Sequence, residues 1–149
     1  MITVVGWSEL AREDQDLLVA ARAASQKAFA PYSHFKVGAA VRCGDGRIVD
    51  GANYESASYG LTVCAERVAI FRANMEGEHR NISAVAIYAS GKTLKADDIP
   101  VSPCGACRQI LAEVAARNDC PDMRVMSANA RFDRFLIATV SDLLPQAFV

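Results

Sequence analysis

Hydrophobic positions recur at helical spacing in the first part of the chain. Leu10, Leu17, Leu18, Ala21, Ala24 and Ala28 share one face of a helix that begins after Ser8 and ends near Ala30, just before Pro31. Ser8 is the expected cap, and Glu9 puts negative charge in the first turn. The period then changes. Residues 36–43 and 47–50 read as two arms of a hairpin around Gly44-Asp45-Gly46. Small residues at Gly38, Ala39 and Ala40 predict that something packs closely on the first arm. A second helix is expected over residues 63–75, capped by Thr62 and closed by Gly77. Residues 82–89 form a buried strand containing Ile82, Val85 and Ile87. Residues 90–99 read as a surface loop. Pro100 and Pro103 lead into a third helix over residues 104–116. Residues 123–127 and 135–140 are two further strands, neighbours because the segment between them is short. Residues 143–148 close the chain in a short helix or turn.

The predicted order is α-β-β-α-β-α-β-β with a helical tail. A hairpin followed by strand-helix-strand crossovers gives a three-layer α/β/α fold, a mixed five-stranded sheet with helices on both faces. With 149 residues and no linker or repeat, a single domain over residues 1–149 is expected.

Composition narrows the partners. A hydrophobic fraction of 52% and a charged fraction of 22% are those of a soluble globular protein. No apolar run reaches the ~18 residues of a membrane span. Residues 1–7 are apolar but too short, and too poor in basic residues, for a signal peptide. No membrane partner and a cytoplasmic location are therefore expected. The net charge of −1 argues against a nucleic-acid polymer and for a small, neutral substrate. The five cysteines are Cys43, Cys64, Cys104, Cys107 and Cys120. An odd count without an export signal points away from a disulfide framework and toward metal ligands or buried thiols.

Two stretches carry the chemistry: Val63-Cys64-Ala65-Glu66-Arg67 and Pro103-Cys104-Gly105-Ala106-Cys107. Cys64 falls at the start of the second helix, and Cys104 and Cys107 at the start of the third. Residues three apart share a helix face, so Cys104 and Cys107 can meet one ion. Helix N-termini stabilise thiolates through free N–H groups and the dipole. Three thiolates suit zinc and leave a fourth position open, where water becomes acidic enough to ionise near neutral pH. Glu66 is placed to move protons at that position, and burial there raises its pKa. Arg67 is the compensating charge for the thiolates. Spacing alone also allows a closed, structural site in which Cys120 is a fourth ligand. Cys43 on a strand reads as a buried thiol, and His34 and His79 read as solvated. The polar segment 51–61, just before Cys64, reads as a recognition loop or a solvated connection.

A ligand, any residue and glutamate, followed later by Pro-Cys-x-x-Cys, is the signature of zinc nucleobase deaminases. Further stretches match in register. They are Tyr32-Ser33-His34-Phe35-Lys36-Val37-Gly38-Ala39-Ala40, Gly51-Ala52-Asn53-Tyr54-Glu55-Ser56-Ala57-Ser58-Tyr59-Gly60-Leu61, Arg108-Gln109 after the second motif, and Leu143-Leu144-Pro145-Gln146-Ala147-Phe148. Over residues 32–148 the chain resembles the short, zinc-dependent cytidine deaminases. The resemblance implies a cytidine deaminase-like fold and hydrolysis of cytidine and 2′-deoxycytidine to the uridines with release of ammonia, a step of pyrimidine salvage. It implies one zinc per subunit on Cys64, Cys104 and Cys107, with Glu66 as proton shuttle and Arg67 neutralising the thiolates. Phe35 would pack on the pyrimidine ring, and Asn53 and Glu55 would hydrogen-bond the ribose. Ala65, Tyr59 and Phe148 would join the substrate pocket, the last two in a neighbouring subunit of a homotetramer. Ser56 and Tyr54 depart from the family pattern, where asparagine and a smaller aliphatic residue are usual. Rival readings are a deaminase of another amino-pyrimidine, a polynucleotide deaminase and a catalytically silent zinc protein.

Overall fold

The computed structural model describes residues 1–78, 80–91 and 98–149. His79 and most of the expected 90–99 loop lie outside the described residues. The strands are β1 (Thr3–Val5), β2 (Lys36–Cys43), β3 (Ile48–Ala52), β4 (Ile82–Ser90), β5 (Arg124–Ala128) and β6 (Phe135–Thr139). The helices are α1 (Arg12–Ser25), α2 (Ala65–Met75), α3 (Gly105–Arg117) and the short α4 (Val140–Leu143). They build one mixed sheet in the order β1-β6-β5-β4-β2-β3. Only β4 and β5 run parallel, joined by the α3 crossover; the other pairs are antiparallel.

The sheet has six strands rather than the expected five. The extra one is β1, an edge strand pairing Thr3 with Ile137 and Val5 with Phe135. Three residues with mostly exposed side chains carry no alternation for a pattern to reveal. The start of α1 also differs. Ser8 lies inside a 3-10 turn, Trp7–Glu9, and Ala11 stands at the helix's N-cap. Glu9 turns back instead and accepts from the Gly6 N–H at 2.7 Å. At its other end, α1 stops short of Ala30 because the Phe29 main chain is taken by another segment. Phe29 N–H donates to Asn53 O, and Phe29 O accepts from Glu55 N–H.

Alternation along the strands sorts the core into two layers. Ala39, Val41 and Cys43 of β2, with Val85 and Ile87 of β4, face Ala69 and Ile70 of α2 and Leu111 and Val114 of α3. Ala40, Ala84, Ala86 and Met126 face Leu17, Leu18 and Ala21 of α1. Helices therefore cover both faces, as expected. Cys43 is buried in the first layer. Asp14 is the charged exception on the inner face of α1; it pairs with Arg124 of β5 at 2.8 Å.

Two glycines set the distance between layers. A side chain at Gly38 would place its Cβ 2.0 Å from Ala21 O of α1. One at Gly51 would sit 2.4 Å from Ala69 N and 2.8 Å from Ala65 O of α2. Because Gly51 lacks that atom, the first turn of α2, with Ala65 and Glu66, rests directly on β3. Among the described residues no helix is long and apolar enough to cross a membrane.

Candidate metal centre and nucleoside pocket

Cys64 and Cys104 occupy the N-cap positions of α2 and α3, and Cys107 lies in the first turn of α3. The expected cap Thr62 serves elsewhere: its hydroxyl accepts from Ser56 N–H at 3.1 Å. The Sγ atoms of Cys64, Cys104 and Cys107 all lie within 4.8 Å of one another. Cys64 and Cys104 are 3.7 Å apart. A tetrahedral centre with ~2.3 Å zinc–sulfur bonds sets its sulfurs about 3.8 Å apart, which the Cys64–Cys104 pair matches. Cys120 is outside this group and packs instead against the core layer under α3. Its N–H donates to Ala115 O, in the turn that ends α3.

The electrostatics favour a thiolate at Cys64. A hydrogen bond with Cys107 is the largest influence lowering Cys64 to about 5, and Arg67 and Cys104 act in the same direction. Its partner Cys107, buried and bonded to Cys64, is driven up, so the two titrate as a unit. Arg67 Nη2 stands 3.7 Å from Cys64 Sγ and 3.5 Å from Thr62 O. Glu66 is 4% exposed. Burial raises its carboxyl above the ordinary value, and the Cys64 charge adds to the rise.

The segment 53–63 is more ordered than its polar composition suggests. Tyr54 exchanges main-chain hydrogen bonds with Val63, and Phe29 bonds Asn53 and Glu55 from the other side. These bridges bring Asn53 and Glu55 alongside the residue preceding Cys64. Asn53 is spent largely on the scaffold. Its Oδ1 accepts from Val37 N–H at 2.9 Å, and its Nδ2 donates to Phe35 O at 2.9 Å. One acceptor position and one donor hydrogen of the amide remain. Glu55 accepts from the Tyr32 N–H at 2.9 Å, the Ser33 N–H at 3.2 Å and the Ser33 hydroxyl. The Ser33 hydroxyl is the main cause holding this carboxyl below its ordinary value. Glu55 lines an opening of about 360 Å³ with Tyr32, Ser33, Ser56, Tyr59 and Thr62.

The remaining candidates are dispersed. Phe35 is half-buried at the entry to β2. Ala65 is fully buried in the core, so any contact with a ligand falls to its main chain. Tyr59 is 78% exposed and meets Tyr32 edge-on at 6.3 Å. Phe148 is 90% exposed; its carbonyl accepts from Gln109 of α3 at 2.6 Å. His34 is exposed, as expected, with a left-handed φ of 55°. Tyr54 stacks on Phe29 with centroids 4.8 Å apart, and the Ser56 hydroxyl accepts from Ser58 N–H at 3.1 Å. Both departures from the family pattern thus have local structural partners. The bonds of Ser33 and Thr62 had no signal in the sequence beyond a hydroxyl near a candidate loop.

A family model described as the cytidine and deoxycytidylate deaminase zinc-binding region matches residues 11–119. The chain belongs to this deaminase family. A cytidine deaminase of Halalkalibacterium halodurans is 48% identical over 135 residues, covering 90% of this chain and 92% of its own length. One of Mycobacterium tuberculosis is 36% identical over 125 residues, covering 84% and 81%. The crystal structure of cytidine deaminase from Burkholderia pseudomallei superposes with a TM-score of 0.79 at 40% identity, over 93% of this chain and 100% of that one. The family's metal is zinc, and the deaminase thiol triad described above is the group that fits it.

Proposed function

We propose that this chain is a zinc-dependent cytidine deaminase that hydrolyses cytidine and 2′-deoxycytidine to uridine and 2′-deoxyuridine with release of ammonia. The observation that carries the reading is a buried glutamate beside three converging thiols, on the first turn of a helix that Gly51 lets rest on the sheet. Cys64, Cys104 and Cys107 would hold the metal; when bound, zinc supplies the Lewis acidity that activates water for attack on ring carbon C4. Glu66 would take a proton from that water and deliver it to ring N3, and would then carry the proton of the C4 hydroxyl to the leaving amine. A raised carboxyl pKa suits a group that must accept and return protons near neutrality. Arg67 offsets the charge of the thiolates from its place beside Cys64.

Phe35 packs on the ring. Asn53 and Glu55 take the sugar with the hydrogen-bonding positions the scaffold leaves them, and Ala65 contributes its main chain. The chain acts as one catalytic domain over residues 1–149. Exposed Tyr59 and Phe148 support a homotetramer in which they complete neighbouring pockets. Thiol ligands that must stay reduced support a cytoplasmic enzyme of pyrimidine salvage.

The test is ammonia release from cytidine, 2′-deoxycytidine, cytosine and a cytosine-containing oligonucleotide. Both nucleosides are turned over and the free base is not. Activity confined to the oligonucleotide, or none on any nucleoside, overturns the proposal.

A further inference from the structure

Glu55 is 7% exposed, and three donors already converge on it. An ionised carboxylate offers about four acceptor positions. The protein fills most of them and leaves room for about one more donor. The donors divide unequally between the oxygens. The Tyr32 and Ser33 N–H groups both bond Oε2, whereas the Ser33 hydroxyl bonds Oε1. Main-chain donors therefore hold one oxygen, and a single side chain holds the other.

That hydroxyl has a second duty. Ser33 Oγ accepts from the Phe35 N–H at 3.0 Å. The bond spans His34, whose φ of 55° lies in the left-handed region. A residue other than glycine stays there only when its surroundings hold it. His34 N–H also bonds Ala30 O at 3.1 Å, which winds the turn from the other side. Ser33 Oγ is thus shared between the carboxylate of the opening and the main chain of Phe35, and each hydrogen bond polarises the other.

We propose that Ser33 is a positioning residue for sugar recognition: its hydroxyl aims Glu55 Oε1 at a sugar hydroxyl of the nucleoside. The proposal rests on the nucleoside-deaminase reading and extends it to a residue that does not itself touch the reacting atoms. Without the hydroxyl, Glu55 keeps its main-chain donors and its burial, but the carboxylate is anchored through Oε2 alone and can pivot about that oxygen, which moves Oε1. The loss falls on sugar binding rather than on the metal or on proton transfer.

The experiment compares the wild type with Ser33→Ala and Ser33→Thr on cytidine, 2′-deoxycytidine and 2′,3′-dideoxycytidine, with zinc content measured for each protein. For Ser33→Ala, KM for cytidine rises roughly tenfold, as expected for losing a hydrogen bond to a charged group, while kcat and zinc content hold. On the dideoxynucleoside, which has no ring hydroxyl to meet Glu55, the same substitution has almost no effect. Threonine, which keeps the hydroxyl, restores KM. An equal loss on all three nucleosides means a merely structural role and overturns the proposal, as does an unchanged KM for cytidine. Failure of the underlying reading looks different: the wild type then releases no ammonia from cytidine, or handles cytidine and the dideoxynucleoside alike.

Discussion

At the scale of the residue, Glu66 is the most consequential side chain. Its buried carboxyl has a raised pKa, so the folded protein holds a proton that the unfolded chain has already lost. The sign follows. Below the ordinary carboxylate range both states are protonated and burial carries no ionisation cost. As pH rises through the unfolded value toward the folded one, stability falls. Glu66→Gln removes that dependence. In zinc-free protein it therefore raises the thermal midpoint at pH 7 relative to wild type, and the difference vanishes near pH 4; a difference independent of pH contradicts the assignment. In the zinc-loaded enzyme the same variant retains the metal and loses at least about a hundredfold in kcat, the scale of a general acid–base group. The cysteines separate just as cleanly. Cys120 packs under α3, away from the thiol triad. Cys120→Ser keeps stoichiometric zinc in a metal assay, and Cys104→Ser loses it.

At the scale of the element, the two core layers respond differently to the same change. Gly38 and Gly51 each let a helix backbone approach a strand, but on opposite faces of the sheet. Alanine at either position forces a helix outward, at a cost of roughly 1–3 kcal/mol typical of overpacking. Gly38→Ala displaces α1, which carries no metal ligand, so its thermal midpoint falls while zinc is retained. Gly51→Ala displaces the first turn of α2, with Cys64 and Glu66, so zinc is lost to a chelator faster as well. Equal zinc retention in both variants contradicts this division. The same geometry explains which element boundaries were legible. Local start and stop signals, Gly77 and Pro103 among them, placed α2 and α3 to within two residues, whereas α1 is read from apolar periodicity. That periodicity overran α1, because the Phe29 main chain is captured by Asn53 and Glu55, residues far along the chain. β1 escaped because three residues on a sheet edge bury too little to leave a pattern.

At the scale of the whole molecule, apolar surface is unevenly spread. Phe71 and Met75 on α2 are 49% and 84% exposed, beside a depression of about 480 Å³ shared with Ile110 and Val114 of α3. Burying such side chains between subunits drives association. The proposed homotetramer places this face at a contact. Phe71→Asp combined with Met75→Asp lowers the mass measured by light scattering, and ammonia release falls with it if neighbouring subunits complete each pocket. An unchanged mass removes this face from the assembly. The C-terminal tail is tied to α3, which carries two of the three converging thiols: Arg108 donates to Pro103 O at 2.8 Å and to Leu143 O at 3.1 Å. Phe148 is thus anchored through its main chain while its ring faces outward.

The sequence by itself determined which residues are candidates for the chemistry. Cysteine and glutamate spacing around two helix starts is a local property, readable wherever helical geometry holds over a few residues, and it named Cys64, Cys104 and Cys107 as candidate ligands, with Cys120 as a fourth possibility, and Glu66 as candidate proton carrier. The sequence also determined the layered fold, all but the edge strand β1, because a hairpin followed by strand-helix-strand crossovers leaves few ways to cover both faces of one sheet. Only the tertiary structure decided between Cys120 and the triad, since four cysteines at permissible spacing differ solely in where they point. It likewise decided that Asn53 and Glu55 are held by main-chain groups of Phe35, Val37, Tyr32 and Ser33 before any ligand arrives. Such bonds join segments about twenty residues apart, and hydrogen-bond partners at that separation leave no period in a sequence.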